Sequence, residues 1–172
     1  NYTESQTALR REFRAYFSKL IKPEHREELR AAESGELYKT LIRQQGKDGM
    51  LAVGWPEQYG GRGASASEAI IFNQERQNIG AEPPPTGIGV PMAGPTIIAH
   101  GTEEQKARFL GPMLRGEEVW CQLFSEPGAG SDLAAIQTRA ELKGDTWHVT
   151  GQKVWTTHAQ LARWGILMAR HD

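Results

Sequence analysis

The residues best suited to chemistry lie in two stretches of the second half of the chain. The first is Gln122-Leu-Phe-Ser-Glu-Pro-Gly-Ala-Gly-Ser-Asp132 and the second is Gly151-Gln-Lys-Val-Trp-Thr-Thr157. In the first, the Gly-Ala-Gly-Ser run ending at Ser131 lets backbone approach a ligand closely, because no bulky Cβ substituent stands in the way. In the second, Trp155 with the hydroxyls of Thr156 and Thr157 suits a flat aromatic ligand, stacked on the indole and hydrogen-bonded by the threonines. Trp155 taken alone also fits a core tryptophan.

Other chemistries find little support. A Gly-x-Gly-x-x-Gly run leading into a helix is absent, as are a phosphate-binding P-loop and a Gly-x-Ser-x-Gly nucleophile elbow. Ser131 has no base beside it in sequence, which argues against a nucleophile. The histidines are scattered without zinc spacing, and His100 reads as a capping or surface residue. Glu75 has no partner acid or metal cluster and reads as a surface or ion-paired carboxylate. Glu126 belongs to its loop and reads as structural. The single Cys121 excludes an internal disulfide and a multi-cysteine metal site, which fits a reducing cytoplasm. A net charge of -1 gives no field for nucleic acid, and at 38% hydrophobic content the apolar runs are too short to span a membrane. The N-terminus has no signal-peptide pattern.

The elements that must position the two stretches change in kind along the 172 residues. The first part is helical. Thr3–Gln6, Ser65–Glu68 and Thr102–Gln105 have the form of capping boxes, each opening a helix. Leu9, Phe13, Phe17 and Leu20 share one helical face, and Pro23 ends that helix or starts the next. The charged run from Glu24 to Glu33 reads as a solvated helix. Leu37, Leu41 and Ile42 mark another helix, closed near Gly46 and Gly49. Gly54-Trp-Pro-Glu-Gln-Tyr-Gly-Gly61 reads as a loop without regular structure, anchored by Trp55. Ile70, Ile71, Phe72 and Ile79 mark the helix opened at Ser65. Pro83-Pro84-Pro85 breaks the chain, and Thr86 to Pro95 is a connector or the wall of a pocket. Thr96 to His100 forms a short helix, and the next carries Phe109, Leu110, Met113 and Leu114, interrupted at Gly111-Pro112 and closed by Gly116.

From Val119 the period becomes two. Gln137 to Leu142 and Thr146 to Thr150 read as a β-hairpin about Lys143-Gly144-Asp145. Gln152 to Thr157 and Arg163 to Arg170 read as further strands. The sheet would be left with open edges at Asp172, which suggests a piece of a longer protein.

Gln122 to Asp132 resembles the signature of the acyl-CoA dehydrogenase family, and Gly151 to Thr157 resembles its second signature. Gly54-Trp-Pro-x-x-Tyr-Gly-Gly61 and Gly101-Thr-x-x-Gln-Lys106 resemble two further stretches of that family, in the same order. The resemblance implies an α+β fold: an N-terminal all-α helical domain over residues 1–117, then the first part of a β-barrel-like middle domain over 118–172, with a C-terminal four-helix domain lying outside this chain. It implies an FAD-dependent oxidoreductase that converts an acyl-CoA thioester to the trans-2-enoyl-CoA, in fatty-acid or sterol side-chain degradation. A glutamate takes the α-proton while the β-hydride passes to flavin N5, and electrons leave to an electron-transfer flavoprotein.

By the same resemblance, Gln122, Leu123, Phe124 and Ser125 line the flavin, with the Ser125 hydroxyl near the pyrimidine edge. Gly130 and Ser131 lie where FAD phosphate and the CoA thioester arm converge, Ser131 touching substrate as well. Trp155 packs on the isoalloxazine face, and Thr156 and Thr157 contact the ring, Thr157 nearest N5. The catalytic glutamate falls beyond Asp172, so no catalytic residue is assigned. A cytoplasmic homo- or hetero-oligomer, a dimer of dimers, is expected. So is a piece that is inactive by itself and binds FAD weakly or not at all. Two other readings stay open: a non-catalytic subunit of a heteromeric acyl-CoA dehydrogenase, and a flavin monooxygenase or oxidase on the same fold.

Overall fold

The computed structural model describes residues 2–31, 35–78 and 87–171. Helix α1 (Glu4–Leu20) opens on the expected capping box: Thr3 Oγ1 accepts from Gln6 N at 3.2 Å and Gln6 Oε1 from Thr3 N at 3.0 Å. Its apolar face enters the first core, where Phe13 and Phe17 are buried and Leu9 and Leu20 are half-buried around them. Burial of one such phenylalanine stabilises by roughly 1.5–3 kcal/mol. Helix α2 (His25–Ala31) is short and mostly exposed, with Leu29 leaning on that core; the charged run beyond it, through Glu33, passes outside the described residues. Helix α3 (Glu36–Lys47) adds Leu41 to that core and also buries Tyr38 and Ile42.

Helix α4 (Ala66–Asn78) lies against α1. The Ser65 box forms, with Ser65 N donating to Glu68 Oε2 at 2.8 Å. Ile71 and Phe72 are buried, and Phe72 meets Phe13 edge-on at 5.0 Å between centroids. Ile70 departs from the expected apolar face: it is 58% exposed, one residue off the buried stripe. Glu75 is ion-paired, as one sequence reading has it, but fully buried. Ile79, Pro83 to Pro85 and Thr86 lie outside the described residues.

A second core forms around Trp55, Ala93, Leu110, Met113 and Trp120. Trp55 anchors the Gly54–Gly61 loop, its indole N–H donating to Val90 O at 3.2 Å. The loop does contain regular structure, a 3-10 turn over Glu57–Tyr59, because Pro56 presets the backbone at its entry. Gly89–Ala93 forms one π-helical turn that runs directly into α5 (Gly94–His100). Helix α6 (Glu103–Leu114) begins at the Thr102 box. It continues through Gly111-Pro112, where an interruption was expected: Pro112 loses one N–H bond, yet Leu110 and Met113 on either side remain buried.

Four strands follow among the described residues. β1 (Trp120–Leu123) pairs in parallel with β4 (Trp164–Leu167), in the register Trp120 to Trp164 and Leu123 to Leu167. β2 (Arg139–Lys143) and β3 (Thr146–Thr150) form the expected antiparallel hairpin. A bridge between Arg139 and Arg170 joins the hairpin to the segment after β4. Helices and strands meet through aromatic contacts, Phe109 on α6 packing edge-on against Trp120 at 5.4 Å and Trp164 at 5.2 Å. The architecture is therefore α+β, helical layers followed by an open, partial β domain. No helix among the described residues is long and apolar enough to cross a membrane.

Candidate functional site

The end of β1 forms one wall of a cleft of about 340 Å³. Alternation along the strand sends Gln122 and Phe124 to the cleft side and Leu123 to the other. Leu123 lies over Gly165 of β4, where a Cβ would come within 2.6 Å of Leu123 Cδ1. Ser125 completes this wall. Gly87 and Ile88 form a second wall, held by a bridge from Gly87 to Trp120. Gly87 has φ +61° and an added Cβ would meet Trp120 O at 2.4 Å, so both backbone conformation and close approach require glycine there. The segment before α5 is thus a pocket wall.

The third wall is Val154, Trp155, Thr157 and His158. Gln152–Thr157 is not the strand its alternation suggests. Val154 N donates to Ser125 O at 3.0 Å, but the ladder stops there because Trp155 turns left-handed at φ +53° and His158 follows at φ +61°. A turn then closes on His158, whose carbonyl accepts from Leu161 N at 2.9 Å and Ala162 N at 3.0 Å. Trp155 is 82% exposed and belongs to neither core of this chain.

Behind the cleft, Glu126 gathers three segments. Its carboxylate is buried and accepts from Lys153 Nζ at 2.8 Å, Gln137 N at 2.6 Å and Thr138 N at 2.9 Å. Lys153 Nζ also donates to Phe124 O at 2.9 Å. The bond to Lys153, followed by those to Thr138 and Gln137, brings the Glu126 carboxyl down to about 2. So low a proton affinity, with every oxygen engaged, suits a structural carboxylate and not a general base. Burial pushes the Cys121 thiol up, as for an unreactive core cysteine.

The structure therefore brings Gln122, Phe124, Ser125, Trp155 and Thr157 around one cleft. Leu123 faces β4, Thr156 does not line the cleft, and Gly130 and Ser131 are exposed on the loop beyond Glu126. A Cβ at Gly130 would meet open space, so nothing in this chain itself requires glycine there. Gly87, Ile88, Val154 and His158 are lining residues that site reasoning from the sequence does not single out. Only the glycine-proline richness around Gly87 hinted at a wall. Together the lining offers an open indole face, the hydroxyls of Ser125 and Thr157, and the Gln122 amide. That donor set fits a planar heteroaromatic group with hydrogen-bonding edges. Among the described lining residues there is no carboxylate, and among all described residues no cluster of potential metal ligands.

Comparison with known proteins places this geometry. The family model "Acyl-CoA dehydrogenase, N-terminal domain" matches residues 3–117, and "Acyl-CoA dehydrogenase, middle domain" matches residues 121–172. The chain belongs to the acyl-CoA dehydrogenase family. It is 43% identical to acyl-CoA dehydrogenase FadE26 of Mycobacterium tuberculosis, over 99% of this chain and 43% of that protein. Among solved structures, the ChsE4-ChsE5 complex from Mycobacterium tuberculosis superposes with a TM-score of 0.88 at 44% identity, over 100% of this chain and 43% of the other. The Tcur3481-Tcur3483 steroid ACAD superposes with a TM-score of 0.88 at 36% identity, over 100% of this chain and 44% of the other. The chain thus spans less than half the length of these relatives.

Proposed function

We propose that the cleft is one side of the flavin and thioester site of an FAD-dependent acyl-CoA dehydrogenase. The observation that carries this reading is Trp155. A tryptophan held in a left-handed backbone and left 82% exposed, beside two hydroxyls and an amide, is shaped for a planar partner. In this reading Trp155 stacks on the isoalloxazine, and Ser125 and Thr157 hydrogen-bond its edges. Gln122 and Phe124 close the wall behind it. Gly130 and Ser131, exposed on the loop, reach toward the phosphate and thioester arm. Leu123 and Thr156 support the wall from outside the cleft.

FAD, when bound, supplies the hydride acceptor for oxidation of the acyl Cα–Cβ bond. The residues of this chain bind and orient, those from about residue 118 onward as the first part of the barrel; in this reading the base that takes the α-proton lies outside this chain. Electrons would leave to an electron-transfer flavoprotein. The likeness to a steroid ACAD favours a CoA thioester of a sterol-derived chain over a simple fatty acyl chain.

The test is to purify the whole protein, record its visible spectrum, and add acyl-CoA thioesters of fatty and steroid type without oxygen. A flavin spectrum bleached by one of them is expected. A colourless protein that also takes up no added FAD would overturn the reading. A second reading, a non-catalytic subunit of a heteromeric enzyme, is favoured by the likeness to the ChsE4-ChsE5 complex. Bound flavin without bleaching by any thioester until a second subunit is added would select it.

A further inference from the structure

We propose that Lys153 is a positioning residue for the cleft, acting as a tether that sets the spacing between the wall carrying Phe124 and Ser125 and the wall carrying Trp155 and Thr157. The inference rests on the functional reading above for its ligand, but its geometry stands apart from it. The Lys153 side chain is 9% exposed and Glu126 6%, so this is an enclosed ion pair with none of the mobility of a surface pair. One ammonium serves two acceptors: Glu126 Oε1 at 2.8 Å and Phe124 O at 2.9 Å. Glu126 is itself fixed by the backbone N–H groups of Gln137 and Thr138 at the entry to β2. Phe124 lines the cleft from one side. On the other side, Val154 N donates to Ser125 O and Trp155 begins its left-handed turn one residue later.

A left-handed backbone at a bulky L-residue persists only where its surroundings over-determine it. The exposed Trp155 indole contributes little burial to that end. The constraint comes from the residues before it, Lys153 and Val154, and from the turn on His158 after it. Lys153 therefore touches no ligand yet decides where the indole and the Thr157 hydroxyl stand. Its chemistry suits the task. An ammonium carries three N–H donors around a compact charge, so it can satisfy a carbonyl and a carboxylate at once from one point.

The experiment uses the whole protein and two variants. Lys153→Met alone would strand a buried Glu126 charge, so it is made together with Glu126→Gln, which removes that charge and keeps the shape. The partner variant, Lys153→Arg, keeps a cation within reach of both acceptors. Amide hydrogen exchange is measured at Val154 and along β1, and FAD affinity by titration. In the double variant, exchange at Val154 is expected to rise at least tenfold while the β1 amides that face β4 keep their rate, and the FAD Kd to rise at least tenfold. Lys153→Arg is expected to recover most of both. A double variant with Val154 exchange and FAD affinity as in the native protein would overturn the proposal. So would uniform acceleration through β1, which would mark a merely structural pair, and so would a Lys153→Arg variant as impaired as the double. If the native protein binds no FAD, the cofactor reading fails, while Val154 exchange, measured without cofactor, still decides for or against the tether.

Discussion

The carboxylate of Glu75 on α4, closed off from solvent, receives Arg14 Nε from α1 at 2.7 Å. Arg10, one turn earlier on α1, adds its own Nε at 2.7 Å. The two arginines are partly exposed and the glutamate is not, so the cost of breaking the set falls on the glutamate. Glu75→Gln is expected to destabilise by about 2 kcal/mol, the scale of a hydrogen bond to a charged group, measured by urea unfolding. The hydrogen bond from Arg14, ahead of that from Arg10, holds the Glu75 carboxyl below the ordinary glutamate range. A depressed folded value stabilises above the unfolded value and loses that stabilisation as pH falls through the folded one. The gap between native protein and Glu75→Gln should thus be full at pH 7 and shrink below about pH 4. A gap that widens in acid would contradict the assignment.

Gly94 sits against the Trp55 ring. A Cβ there would lie 2.0 Å from Trp55 Cζ2, and the ring is held in turn by its bond to Val90 O. Neither side can give without moving backbone. Gly94→Ala should cost about 1–3 kcal/mol by overpacking. Gly128→Ala, with open space about it, should change stability by less than about 0.5 kcal/mol. Thermal unfolding of the two variants side by side checks this.

The parts of the fold legible in the sequence were those governed by local rules. The three capping boxes form where Thr3, Ser65 and Thr102 stand, because cap and partner are three residues apart and need nothing from the rest of the chain. The hairpin about Gly144 forms for the same reason. Apart from the 3-10 turn after Pro56, which has a local cause, what failed depended largely on partners distant in sequence. The alternation of Gln152 to Thr157 suggested a strand, but only Val154 finds a backbone acceptor at Ser125, and the left-handed Trp155 ends the extension. The cleft was legible in its β1 and Trp155 walls. Its Gly87–Ile88 wall was legible only as one of two readings of Thr86 to Pro95, connector or pocket wall, since the choice depends on where a loop from the helical part crosses Trp120. The burial of Glu75 was hidden too, because Arg10 and Arg14 are brought to it by helix packing.

Trp155 separates a stability role from a binding role with unusual clarity for a tryptophan. Because its side chain packs little against the rest of this chain, Trp155→Ala should alter the stability of residues 1–172 without cofactor by less than about 0.5 kcal/mol. Loss of one aromatic stacking contact, about 1.4 kcal/mol, should raise the FAD Kd about tenfold in the whole protein. Trp155→Phe should lose less. Unchanged FAD affinity in Trp155→Ala would remove the indole from the site.

The Glu126–Lys153 pair sets an acid limit on the cleft. The Glu126 carboxyl lies at about 2, against an ordinary glutamate value of about 4.3, with Lys153 the largest cause. Because the folded value is the lower one, the pair contributes its full stabilisation at any pH above the unfolded value. It loses that contribution progressively as pH falls from about 4 toward 2. Between pH 5 and 8, therefore, the cleft should show no pH dependence arising from Glu126. Glu126→Gln replaces an acceptor of three donors by a group with one acceptor oxygen, and should lower Tm throughout that range. The difference in Tm between native protein and Glu126→Gln, followed from pH 8 to 3, should be flat to about pH 5 and then close. A difference that already closes between pH 7 and 5 would mean that Glu126 takes up its proton near neutrality, and would reopen its candidacy as an acid or base.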